Sequence, residues 1–190
     1  MIELKFGTPS AWAPLIVENM DAFLPDHAAA EKKASSMAMT MVAHYPDKPD
    51  LVAAMIDLAL EELQHFKTVV SLMRARGVSL VADEKDPYVN GLRKHLRQGG
   101  EVYFMDRLLI AGIVEARGAE RFGLIAEALS PGELKSFYEA ITRSEEGHRG
   151  LFLKLAEQYF ETHEIQARLS QLLDAEAEIV RDLPVRIALH

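Results

Sequence analysis

The sequence contains no cysteine, which removes disulfides, thiolate zinc sites and cysteine-ligated iron–sulfur clusters from consideration. It has no excess of positive charge either. The formal net charge is -8, so the field of the whole molecule repels phosphates and excludes non-specific nucleic-acid binding, though not a local basic patch. No apolar run reaches the roughly 20 residues of a membrane span, and the opening MIELKFGTPS has neither the basic nor the apolar region of a signal peptide. No segment alternates as a half-buried strand does, and no segment is of low complexity. The expectation these absences leave is a soluble cytoplasmic protein built of helices, with no membrane partner.

What is present is enough for a core. A chain of 190 residues, 49% hydrophobic and 26% charged, fits one domain over residues 1–190. Thr8-Pro9 reads as a cap and first-turn proline for a short helix containing Trp12. A helix is expected from near Pro25 to Tyr45-Pro46, a second from about Pro49 to Arg76 before Gly77, and a third from about Glu101 to Leu129. Between the last two lies a long crossover, with a short helix expected around Leu92 to Arg97. Ser130-Pro131 with Glu133 reads as a capping box opening a fourth long helix to about Thr162, and an additional C-terminal helix covers about 164–181. Two tightly joined helices, a long crossover and two more joined helices give the connectivity of a ferritin-like four-helix bundle, its core at about residues 24–162. Short N-terminal and C-terminal helices flank it.

Each long helix carries an apolar seam interrupted by acid. Stepping by three and four gives Leu51, Met55, Leu58, Glu62, His65, Val69, Leu72 on one helix and Leu134, Tyr138, Ile141, Glu145, His148, Phe152, Leu155 on another. A third seam is Phe104, Leu108, Ala111, Glu115, Gly118, Phe122, and a fourth is Leu24, Ala28, Glu31, Ser35, Ala38. Chance supplies about 0.7 Glu-x-x-His pairs in a chain of this composition, so one pair means little. Two pairs, both centred in seams and each preceded by a seam glutamate at matched spacing, mean a great deal. Residues three apart share a helix face, so each pair can grip one metal ion, and two divalent ions balance four carboxylates. Glutamate and imidazole suit iron or manganese. Glu61 and Glu146 point about 100° away and belong to solvent. His27, one turn before Glu31, is placed to support that glutamate from behind, but its position near the start of the helix favours a surface histidine. His44, His95, His163 and His190 show no spacing partner.

DHAAAEKKASSMAM, LEELQHFKTVVSLMRARG, DRLLIAGIVEARGAERFGLIAEAL and FYEAITRSEEGHRGLFLKLAEQYF resemble the four helices of the tRNA 2-methylthio-isopentenyladenosine hydroxylases, the MiaE family. The resemblance runs over roughly residues 20–165, not the final 25, and includes Asp26-His27, Glu31-Lys32-Lys33, Glu115-Ala116-Arg117 and Glu120-Arg121-Phe122. SEEGHR departs slightly from the small-residue version associated with the family, with the ligand spacing intact. The resemblance implies a non-haem di-iron monooxygenase (manganese being the other metal the donors suit), with O₂ as co-substrate, that hydroxylates the isopentenyl group of a modified adenosine in the tRNA anticodon region. It implies Glu31, Glu62, His65, Glu115, Glu145 and His148 as the ligands of two iron ions. Electrons must then come from an external donor of the ferredoxin or reductase type, because the chain has no flavin motif and no cysteine. For tRNA the crossover cluster Arg93, Lys94 and Arg97 is the expected contact, ahead of Lys32, Lys33, Arg74 and Arg76.

The same donors fit other chemistry. A ferritin- or bacterioferritin-like ferroxidase shares the ligand set but assembles into a cage, whereas a monomer or small homo-oligomer is expected here. A manganese catalase fits the ligands alone. A metal-free helical module does not explain the buried acids.

Overall fold

The described residues form seven helices, with proline or glycine at four of the six breaks between them. The computed structural model describes residues 2–190 and, among them, contains no strand. The helices are α1 (Trp12–Glu18), α2 (Met20–His44), α3 (Pro49–Ala75), α4 (Pro87–Arg93), α5 (Gly100–Ala128), α6 (Glu133–Tyr159) and α7 (Thr162–Asp182). Four are long and fall into two tightly joined pairs separated by the crossover, as the seams require. The C-terminal helix is not short: α7 has 21 residues against 7 in α1.

Several boundaries differ from the sequence expectation, each because a tertiary contact outweighs a local signal. Thr8 does not cap a helix. Its amide and hydroxyl donate instead to Glu120 at 2.8 and 2.7 Å, and α1 begins only at Trp12, after a turn closed on the Pro9 carbonyl. Helix α2 starts at Met20 and contains Pro25, because Met20, Phe23 and Leu24 are all buried and the helix extends to keep them so. The short crossover helix lies earlier than expected: Asp86 accepts from the amides of Tyr88 and Val89 with Pro87 in the first turn, an N-cap with proline behind it. Ser130 and Pro131 form no capping box. Helix α6 opens after Gly132, and the turn is held by Lys135, whose Nζ donates to the carbonyls of Ala126 (2.7 Å) and Leu129 (3.4 Å) at the end of α5.

The helices gather into two compact units. One comprises residues 18–84 with 187–189, and it is an antiparallel pair. Helix α2 buries Phe23, Leu24, Ala28, Ala38 and Met41, while α3 buries Leu51, Met55, Leu58, Val69 and Met73. Ser35 on α2 donates across to the Ala59 carbonyl at 2.8 Å. At the start of the crossover, Asp83 pairs with Lys32 at 2.8 Å and the Glu84 carbonyl accepts from Lys33 at 2.8 Å.

The other unit comprises residues 2–17, 85–186 and 190. Helices α5 and α6 pack through Phe104, Leu108, Ile113, Phe122 and Ile125 against Tyr138, Ile141, Phe152 and Leu155. At Gly112 a β-carbon would stand 2.7 Å from Ile2 Cδ1 and 3.3 Å from Phe152 Cβ, so glycine is what lets these segments approach. Arg117, fully buried, ties the unit together. It donates to Glu176 Oε1 from Nε (2.9 Å) and Nη2 (2.7 Å), to the Phe6 carbonyl (2.7 Å) and to Glu120, and Tyr88 adds a hydrogen bond to Glu176 at 3.1 Å. The amino-terminal segment, α4, α5 and α7 therefore meet at one ion pair. Asp106, also fully buried, is gripped by Arg97 and Arg168.

Removing one partner of a buried ion pair strands the other, at about 3–5 kcal/mol. Glu176→Gln or Arg117→Met should lower the urea-unfolding free energy by that much, and the double variant R117M/E176L should regain a large part of it. A second expectation concerns acid. Burial works against the charge on Asp86, but His190, 3.1 Å away, and the α4 amides outweigh it and lower the pKa from 3.8 to about 2. The charge stabilises the fold above about pH 4, and this contribution is lost as pH falls through 2, a loss of about 2 kcal/mol. Between pH 5 and pH 2 wild type should lose about 2 kcal/mol more than Asp86→Asn, whose side-chain oxygen keeps the cap.

Candidate metal centre

In the α2/α3 unit, the seam acids face one another. Glu31 and Glu62 are buried, at 3% and 1% exposure, and His65, one turn after Glu62, presents Nδ1 3.5 Å from Glu31 Oε2 and 3.4 Å from Glu62 Oε2. In the α5/α6 unit the arrangement repeats. Glu115, Glu145 and His148 are all buried, with His148 Nδ1 3.3 Å from Glu145 Oε2 and 4.0 Å from Glu115 Oε2. Within each triad the donor atoms lie inside 4.8 Å of one another. Donors each about 2.1 Å from a common ion stand no more than about 4.2 Å apart, and the histidine–glutamate distances of 3.3, 3.4, 3.5 and 4.0 Å fall within that limit.

The donor chemistry agrees. Two carboxylates and one imidazole per unit, withdrawn from water, carry more negative charge than a protein interior tolerates without compensation. Burial opposes ionisation of Glu31, but hydrogen bonds from His27 and His65 outweigh it and hold its carboxyl well below the usual carboxylate range. Burial likewise disfavours the charged His65, yet Glu31 and Glu62 carry its pKa up to about 10. Without metal, a proton on His65 is the local counter-charge; a divalent ion replaces it with a larger one.

His27 is not at the surface. Its exposure is 0%, its ring stacks on Phe23, and Nε2 lies 2.7 Å from Glu31 Oε1. Because α2 begins at Met20, position 27 stands in the body of the helix; the four-residue spacing to Glu31 was the signal. His190 also has a partner, Asp86, and is buried. Glu61 and Glu146 are exposed, as their angle on the helix demands. Of the cationic cluster, Arg93 and Lys94 are exposed, whereas Arg97 clasps Asp106 at 2.7 Å.

Residues 2–190 match the family described as tRNA-(MS[2]IO[6]A)-hydroxylase (MiaE). The chain belongs to this family. A Pseudomonas putida protein named tRNA 2-(methylsulfanyl)-N(6)-isopentenyladenosine(37) hydroxylase is 34% identical over 183 residues, covering 96% of this chain and 89% of that relative. A Salmonella typhimurium protein of the same name is 33% identical over 156 residues, covering 82% of this chain but 57% of its own length. A solved structure titled Protein 43 with aldehyde deformylating oxygenase activity from Synechococcus superposes with a TM-score of 0.90 at 34% identity, covering 97% of this chain and 92% of that one. The fold is thus the ferritin-like all-α class. The MiaE match also reaches past residue 165, where the sequence resemblance stopped. Glu176, the buried partner of Arg117, shows why α7 belongs to the same unit.

Metal should appear as stability. Titrating metal-free protein with Fe(II) or Mn(II) is expected to raise the thermal midpoint, with about 2.7 kcal/mol gained for each ion at a hundredfold excess over its Kd. A chelator should reverse the gain, Glu62→Ala and Glu145→Ala should each remove part of it, and the double variant should abolish it.

Proposed function

We propose that the two triads serve one di-iron centre, within a single ferritin-like domain over residues 1–190. In this reading the enzyme uses O₂ to hydroxylate the isopentenyl group of 2-(methylsulfanyl)-N(6)-isopentenyladenosine in tRNA. The observation that supports it most is the match to MiaE over residues 2–190. Manganese would satisfy the same donors. When bound, the metal pair supplies the capacity to bind and reduce O₂ at a carboxylate-lined site. The balance is one C–H bond and O₂ converted to C–OH and water, with two electrons and two protons from outside. An external donor of the ferredoxin or reductase type supplies the electrons.

The chain's own residues have separable tasks. Glu31, Glu62, Glu115 and Glu145 hold charge, and His65 and His148 complete each triad. The side chains beside the acids are small: Ala28 and Ala38 are in the Glu31 seam, and Gly118 is one turn after Glu115. They leave room for O₂ and a prenyl group. Ser35 is engaged with the Ala59 carbonyl, so a bound substrate does not need to satisfy its hydroxyl. Arg93 and Lys94, at the end of α4, offer the open cations for tRNA phosphates, while Arg97 serves the fold through Asp106. Among the described residues no helix is long and apolar enough to cross a membrane. The reading places the enzyme with its tRNA in the cytoplasm, as a monomer or small homo-oligomer.

A second reading rests on the Synechococcus structure, whose title names aldehyde deformylating oxygenase activity at 34% identity. One experiment separates the two. Iron-loaded protein with reductant and O₂ is given tRNA carrying the 2-(methylsulfanyl) modification, or a long-chain aldehyde. Digested nucleosides are expected to gain one oxygen by mass spectrometry, with no gain in Glu145→Ala. An unchanged nucleoside together with aldehyde loss would favour the second reading. Neutralising Arg93 and Lys94 should weaken tRNA binding and flatten the log K against log salt slope by roughly 1 for each charge.

A further inference from the structure

The two triads look duplicated, yet one of them has a residue that the other lacks. On α2 the position one turn before the lone glutamate is His27, and on α5 the corresponding position before Glu115 is Ala111, which is buried. His27 is fully buried, its ring centroid 5.8 Å from that of Phe23 at 29°, so the imidazole has little freedom. Its Nε2 stands 2.7 Å from Glu31 Oε1, a hydrogen-bond distance, and it lies outside the donor group formed by Glu31, Glu62 and His65. With Oε1 held, Glu31 presents Oε2, the atom 3.5 Å from His65 Nδ1.

We infer that His27 is a positioning residue that fixes Glu31 as a one-oxygen ligand and so makes the two metal sites unequal. The α2/α3 triad is organised before the ion arrives and binds it more tightly. On α5 the position one turn before Glu115 is alanine, so the helix does not repeat there the imidazole contact that His27 makes with Glu31. The inference rests on the di-metal reading above. Hydrogen-bond partners behind a ligand typically govern 10–100-fold in metal affinity, and a fixed carboxylate loses less freedom when it binds.

The test is a Co(II) titration of the metal-free protein, followed by visible absorption with a competing chelator and checked by metal analysis after gel filtration. Wild type should take up two ions in two resolved steps. His27→Met and His27→Phe fill the space without an N–H, and each should weaken the tighter step by 10–100-fold while leaving the weaker step in place. His27→Gln retains an N–H for Glu31 and should restore most of the difference. Two equal steps in wild type, or both constants unchanged in a folded Met or Phe variant, would overturn the role of His27 and leave the di-metal centre standing. Uptake of fewer than two ions by wild type would overturn both.

Discussion

Four buried glutamates and two histidines, His148 buried and His65 partly so, are the constraint from which the rest of the architecture follows. An acid placed in an apolar seam is a net cost to the helix that carries it, and packing alone gives no reason to keep it there. Each triad therefore needs rigid walls and a counter-charge, and in each unit the walls are two long helices, of 25 and 27 residues in one and 29 and 27 in the other. Helices of this length keep three-residue spacing faithful over many turns, so the histidine of each Glu-x-x-His pair stands 3.5 or 4.0 Å from its partner glutamate. The acid clusters and the packing are in this sense one design: the same seams that fill the core aim the carboxylates and imidazoles.

The protein handles buried charge in two ways. At Arg117–Glu176 the opposing charges are both supplied by the chain, and the result is a permanent joint in which the guanidinium also donates to the Thr8 hydroxyl and the Phe6 carbonyl while Tyr88 donates to Glu176. At the triads the chain supplies mostly carboxylate, and in the di-metal reading proposed above the opposing charge comes from solution. A joint of the first kind can hold the α5/α6 unit together whether or not metal is present, which lets the second kind remain open to exchange and to redox change.

The seams were legible in the sequence because a 3.6-residue period survives substitution of a few positions, and Glu62, His65, Glu145 and His148 sit on that period without a break. What escaped was set by contacts far along the chain. The start of α2 was misplaced because Pro25 resembles a first-turn proline, while the burial of Phe23 and Leu24 is a tertiary fact. His27 was misjudged as a direct consequence. Ser130-Pro131 has every local mark of a cap, yet Lys135 reaches back to α5 and governs the turn instead. Arg97 reads as an available cation because nothing nearby in sequence shows that Asp106, nine residues on, is buried and waiting for it.

The Lys135 staple has a consequence at a distance. It anchors the first turn of α6 to the last carbonyls of α5, and Glu145 lies ten residues further on, about 15 Å along the axis. Helix geometry converts an axial slip of one residue at the staple into a shift of about 1.5 Å and a swing of about 100° at that glutamate. The small pivot at the turn thus acts as the clutch of a long lever. The staple and the buried seam of Tyr138, Ile141, Phe152 and Leu155 together fix the phase of α6 on which Glu145 and His148 lie.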